Sequence, residues 1–159
     1  MTAPMNTMTE AVHLGEDEIP WVDTGTGVEI KLVQADIELG LWIVRNRFAP
    51  GSRVQKHKHT GQVFGYTLSG AWKYDEYPYI NRAGSFLFEP AGSEHTLVVP
   101  EDNTELTDVW FQIYGANLNL DDDGNVESIT DAAGIYEAYM MMCEANGFGR
   151  PNVLTSGGR

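Results

Sequence analysis

The sequence predicts an all-β barrel or sandwich followed by one short helix. From Ile19 to about Tyr114 it runs in short stretches rich in Val, Ile, Phe, Trp and Tyr, broken at close intervals by turn residues. That spacing describes short strands rather than alternating strand and helix units. Only one later segment has helical spacing, with Ile135, Tyr136, Tyr139, Met140 and Met142 on one stripe.

Taken in order, residues 1–18 are polar and are expected to form a flexible N-terminal arm, with packing beginning at Ile19-Pro20-Trp21-Val22. A single domain is expected over 19–150 and a loose tail over 151–159. The turns fall at Gly25-Thr26-Gly27, Ala49-Pro50-Gly51, Ser69-Gly70, Ala83-Gly84, Pro90-Ala91-Gly92 and Pro100-Glu101-Asp102-Asn103. Leu118-Asn119-Leu120 and Val126 flank Asp121-Asp122-Asp123-Gly124-Asn125 and predict a further hairpin. Three adjacent aspartates lack the alternating acids and distal glutamate of a calcium loop, so a solvated turn is expected. Thr130 or Asp131 can cap the helix, and Asn146-Gly147 ends it.

A chain of 159 residues, 42% hydrophobic and 21% charged, can bury one core and has the composition of a globular domain. Its net charge of −13 argues against nucleic acid and anionic membrane surfaces as partners. No apolar run approaches the length of a membrane helix, and Met1 to Glu10 has no signal-peptide pattern. The expected location is cytoplasmic. The one cysteine, Cys143, lies in an apolar Met-rich stretch and is expected as a small buried residue.

Chemistry concentrates on histidine. His57 and His59 are two apart, so on a strand both rings face one way and can share a metal. His95 follows a Pro-Gly turn and precedes an apolar run, while His13 lies in the arm and is expected to be solvated. The spacing extends further. Gly51, five residues, His57-Lys58-His59, and then Gly70 eleven positions on, resembles the first cupin motif. Gly84, five residues, Pro90-Ala91-Gly92, two residues and His95 resembles the second, after the short stretch Ala71 to Ala83. The resemblance implies a cupin double-stranded β-barrel, or jelly roll, holding one metal on His57, His59 and His95.

Two places depart from that pattern. The first motif usually carries a glutamate ligand separated from its second histidine by three or four residues; Val63 and Phe64 stand there, with Gln62 the nearest polar group. Val99 replaces the asparagine that usually ends the second motif. The expected site is therefore neutral in its protein ligands unless a side chain outside the pattern reaches in. Three imidazoles leave a divalent ion its full charge and open positions for a bidentate anion and O2, which suits iron(II); the same donors suit zinc with one activated water.

A narrower likeness rests on Ile19-Pro20-Trp21-Val22, His57-Lys58-His59-Thr60-Gly61, Gly65-Tyr66-Thr67-Leu68-Ser69-Gly70, Phe88-Glu89-Pro90-Ala91-Gly92-Ser93-Glu94-His95-Thr96-Leu97-Val98-Val99-Pro100 and Asp121-Asp122-Asp123-Gly124-Asn125-Val126. These segments, over roughly 19–130, resemble the 2,4'-dihydroxyacetophenone dioxygenases and the related acetylacetone-cleaving dioxygenases. The resemblance implies iron(II), O2 and a small carbonyl substrate, a 2-hydroxyketone or a β-diketone, cleaved beside its carbonyl. It also implies that Glu89 accepts a hydrogen bond from a ligand histidine or metal-bound water; the alternative is a surface carboxylate before a turn. Gln62, Tyr66 and Arg82 are candidates for substrate contact, with Trp72, Trp110 and Gln112 on strands near the motifs. Alternation leaves open which of them face inward. Two other functions compete: a zinc or nickel cupin (manganese is a further candidate metal) acting as hydrolase, isomerase or lyase, and a metal-dependent ligand-binding or sensor cupin. By analogy with cupins, a homodimer or homotetramer is expected.

Overall fold

The computed structural model describes residues 10–156. It is the expected all-β double-stranded barrel with one C-terminal helix. The strands, in chain order, are β1 (Val22–Asp23), β2 (Val28–Asp36), β3 (Leu41–Phe48), β4 (His57–His59), β5 (Val63–Ser69), β6 (Ala71–Tyr74), β7 (Asn81–Arg82), β8 (Phe86–Glu89), β9 (Glu94–His95), β10 (Leu97–Val98), β11 (Thr107–Tyr114), β12 (Asn117–Leu120), β13 (Val126–Thr130) and β14 (Leu154–Thr155). The helix α1 (Ala132–Ala145) lies between β13 and β14.

One large sheet runs β1-β2-β3-β11-β5-β8, with β14 added in parallel beside β2. Two smaller sheets, β10-β6-β7 and β13-β12-β4-β9, form the opposing wall. Alternate residues of both walls point inward: Leu32, Val44, Val63, Val109 and Phe111 from the large sheet meet Trp72, Tyr74 and Leu97 from the small ones. Turn glycines let the walls approach. Gly70 has φ +76°, and a Cβ there would lie 2.5 Å from Thr107 Cα. A Cβ on Gly61 would lie 2.2 Å from the Tyr114 carbonyl oxygen.

Asp131 caps α1 by accepting from Gly134 N at 2.8 Å, and Asn146 with Gly147 ends it. Its Tyr139, Met140 and Cys143 are buried against the barrel, with the Tyr139 hydroxyl donating to Pro20 O. The hairpin of β12 and β13 forms as expected, and Asp121 organises its turn by accepting from Asp123 N and Asn125 N.

Both ends of the chain engage the sheet more than their composition suggests. Within the expected flexible arm, Glu16 pairs with Lys31 at 3.1 Å and Arg45 at 2.7 Å, while residues 1–9 lie outside the described part. Within the expected loose tail, β14 joins β2 and Val153 is buried; residues 157–159 lie outside the described part. Two polar stretches are thus anchored by a few specific contacts that overall composition does not reveal. No helix among the described residues is long and apolar enough to cross a membrane.

Candidate metal centre

Strand β4 carries His57 and His59 inward and Lys58 outward, as the two-residue repeat requires. Strand β9 pairs antiparallel with it and places His95 directly opposite His57. The three rings form a nearly equilateral triangle, with centroids 4.8, 4.9 and 4.9 Å apart, and all three are buried. One nitrogen from each lies within 4.8 Å of the others. His59 Nε2 and His95 Nε2 stand 3.0 Å apart. Metal–nitrogen bonds of about 2.1 Å at a right angle put neighbouring donors about 3.0 Å apart, so the pair fits one ion. His57 Nδ1 donates to Gln55 O at 3.0 Å, which fixes its tautomer and leaves Nε2 free to ligate.

Glu89 brings a carboxylate beside the imidazoles from outside the first motif. It ends β8, is paired with Val63 of β5, and is buried rather than on the surface. Its Oε2 lies 3.0 Å from His59 Nε2 and 3.6 Å from His95 Nε2, and it accepts no hydrogen bond from the protein. A buried carboxylate oxygen facing two imidazole nitrogens, all aimed at one point, is an arrangement that a cation satisfies. The carboxylate missing from the first-motif position at Val63 thus enters from the neighbouring strand.

Tyr74 was not singled out by its sequence pattern, yet it supports both groups. Its hydroxyl donates to Glu89 Oε1, and its ring stacks on His95 at 3.8 Å with an interplanar angle of 19°. Burial and the Glu89 charge hold the Tyr74 hydroxyl well above the usual tyrosine range, so it remains a donor. Burial would raise Glu89, but the adjoining His59 and His95 rings and the Tyr74 hydroxyl overcome it, leaving the carboxyl below the ordinary range and ionised. Burial lowers His57 and takes His95 down to about 4, so both rings are neutral and available as ligands at neutral pH.

The site opens on a cavity of about 180 Å³ inside the barrel. His57, His59, Tyr74 and Glu89 line one part; Trp42, Val44, Phe111 and Ile113 line the apolar remainder, and Ile135 of α1 contributes to its wall. Asn46, Asn117 and Thr130 add polar groups, and Asn117 Oδ1 is buried without a protein partner. Asn117 is the β12 residue paired with His59, so its place follows from register that the sequence does not display.

The other candidates are not brought to this cavity. Gln62 is exposed in the turn between β4 and β5. Tyr66 points outward from β5, because Val63, Gly65 and Thr67 take the inward positions. Arg82 is exposed on β7. Trp72 is core, its Nε1 donating to Thr67 Oγ1 at 2.9 Å. Trp110 and Gln112 alternate with the inward Val109, Phe111 and Ile113 and so lie on the outer face of β11.

Residues 9–111 match the model of the ChrR cupin-like domain family. The chain belongs to this cupin family. No protein of curated function matches it. Among solved structures it resembles an RmlC-like cupin of Ralstonia eutropha at 27% identity and TM-score 0.85, covering 92% of this chain and 94% of that one. A second Ralstonia eutropha protein with a cupin-like fold, of unknown function, is 32% identical with TM-score 0.75, covering 91% and 95%. An acetylacetone dioxygenase of Acinetobacter johnsonii shares the fold at 18% identity and TM-score 0.73, covering 86% and 94%. The cupin's two motifs thus supply the strands β4 and β9 on which the three histidines converge.

Proposed function

We propose that this cupin is a non-haem iron(II) dioxygenase that uses O2 to cleave a carbon–carbon bond beside a carbonyl in a small β-diketone or 2-hydroxyketone. The observation that carries the reading is the convergence of three buried imidazoles beside a largely apolar cavity. The shared fold with an acetylacetone dioxygenase supports it. Iron(II) bound there would supply the redox chemistry for O2 and a cationic anchor for an enolate.

The chain's own residues divide the remaining work. His57, His59 and His95 each offer a ring nitrogen to the ion. Glu89 Oε2 lines the cavity without a hydrogen bond of its own and is placed to hold the proton released when a dicarbonyl enolises. The Tyr74 hydroxyl on Oε1 keeps that carboxylate oriented. Asn117 Oδ1 can accept from a substrate hydroxyl, while Trp42, Val44 and Phe111 exclude water. A volume of about 180 Å³ corresponds to about six waters and suits a small carbonyl compound.

One observation favours a second reading. Glu89 Oε2 brings an oxygen donor beside three imidazoles, and four donors are the number that a closed zinc site uses. The chain would then hold a metal for ligand sensing, or for Lewis-acid chemistry with zinc, nickel or manganese. Anaerobic reconstitution with iron(II), followed by oxygen-electrode traces with a β-diketone and a 2-hydroxyacetophenone, separates the two. Iron-dependent uptake with cleaved products, lost in His95→Ala, is expected. Tight zinc with no uptake on either compound would replace the dioxygenase reading by the second.

A further inference from the structure

The residues that line the metal cavity fall into two classes. Most are buried, but Asn46, Val54, Asn117, Thr130 and Ile135 are only half-buried. A side chain that borders a cavity and also reaches solvent stands where the two meet, so these five surround its mouth. None of them is charged. Four are fixed by the hydrogen bonding of the barrel. Asn46 is paired with Ile30 and Val109, and Asn117 with His59 and Thr130. Val54 N donates to Leu97 O at 2.9 Å. Ile135 alone of the five lies on the helix, at the end of its first turn, with its N–H donating to Asp131 O at 2.9 Å.

We infer that Ile135 determines how large a molecule reaches the metal, an inference that rests on the cavity serving the small carbonyl compound proposed above. The helix is anchored elsewhere: Tyr139, Met140 and Cys143, one to two turns further on, are buried against the barrel. A change of bulk at 135 therefore leaves the sheet ladders and the helix anchor in place and alters the opening. The other four mouth residues lack this freedom, because each stands in or beside a strand ladder. The mouth also selects by charge. On a chain of net charge −13, an uncharged opening admits a dicarbonyl in its neutral keto or enol form, and the proton is lost inside, beside Glu89. The apolar flank of such a molecule passes Ile135 and Val54, while Asn46, Asn117 and Thr130 offer hydrogen bonds to its oxygens.

Cobalt(II), loaded anaerobically in place of iron, gives a visible spectrum that reports binding at the metal without oxygen chemistry. Two pairs of ligands graded by size are titrated against it: acetylacetone with benzoylacetone, and imidazole with phenylimidazole. In each pair, Ile135→Ala is expected to strengthen the phenyl member relative to the small one at least about tenfold, since one methylene in an apolar pocket is worth about 10–200-fold. Ile135→Phe should weaken the phenyl member by a similar factor. Met141→Ala, on the exposed side of the same helix, should leave both ratios unchanged. Circular dichroism melts and equimolar cobalt confirm that the variants fold. Ratios that ignore both Ile135 substitutions, or that move equally with Met141→Ala, would overturn the inference, as would imidazoles that leave the cobalt spectrum unchanged. Diketones that leave the spectrum unchanged, while the imidazole ratio follows Ile135, would uphold the mouth and overturn the proposed substrate class instead.

Discussion

Strands β5 and β8 present opposite chemistries one residue apart. Inward, Val63 sits beside Glu89, whose carboxylate is buried against two imidazoles. Outward, Phe64 sits beside Phe88, with ring centroids 5.6 Å apart and Phe88 half exposed. A sheet with one solvated face ordinarily puts apolar residues inside and polar ones outside, and here each face departs from that rule. A charge inside is stable only if it is paired, and an aromatic row outside is economical only if it is covered. The inner departure is one that a cation would satisfy, whereas the outer one leaves an apolar row in solvent.

The largest test of the inner face is removal of a ring. His95→Ala should lower iron(II) affinity by at least about 100-fold, because even residues surrounding metal ligands are worth about 10–100-fold. Calorimetric titration showing affinity within tenfold of the unaltered protein would remove His95 from the site.

The pH dependence of the metal-free protein tests the same burial. His95 is neutral in the fold with a value of about 4, against an ordinary 6.5, and is surrounded by His57, His59, Glu89 and Tyr74. Between these values the unfolded chain binds the extra proton, so stability is full above about pH 6.5 and falls toward pH 4, by up to about 3 kcal/mol. His57 moves the same way, whereas Glu89 contributes a loss only at lower pH. Urea titrations of His95→Gln should show a flatter profile over this window; an unchanged slope would mean that the ring titrates normally.

Glu89→Gln comes next. It keeps the shape but removes the charge beside the ion, and about a tenfold loss of metal affinity is expected. Because Val63 and Glu89 are direct partners across the strands, the double change Val63→Glu with Glu89→Val returns the carboxylate to the usual first-motif strand. Partial recovery of affinity in the double variant, read by the same titration, is expected. No recovery would show that the β8 position itself matters.

The histidines were legible in the sequence because metal ligands are restricted in residue type and strand spacing fixes their direction. Glu89 was named only through the likeness, which implied a carboxylate beside a ligand histidine or metal-bound water; its facing depends on how β8 registers against β5. Tyr66 and Arg82 show the same limit from the other side: both lie near the motifs, yet neither reaches the cavity. Tyr74 touches Glu89 from fifteen residues away, through a contact between strands of different sheets. The alternation Trp72-Lys73-Tyr74 would have placed it on the inner face with Trp72, but nothing local names its partner. The contacts of Glu16 were hidden for a similar reason, because one glutamate among polar residues does not name its partners on β2 and β3.

Those contacts provide the smallest expected effect. Burial acts to raise Glu16, but its contacts with Lys31, Arg45 and Trp21 dominate and bring it down to about 2. An acid held below its ordinary value contributes above about pH 4.5, and the contribution disappears as pH falls toward 2. Its side chain is about half exposed, so Glu16→Gln should cost less than about 1 kcal/mol of global stability. The local effect is larger in kind: hydrogen exchange of residues 14–18 should accelerate at pH 7 while β4 and β9 remain protected. Unchanged exchange would mean that Trp21, stacked over Lys31, Arg45 and Arg47, holds the segment before β1 on β2 and β3 without the ion pairs, and that cation–π contact alone distinguishes this half of the sheet from the aromatic row on β5 and β8.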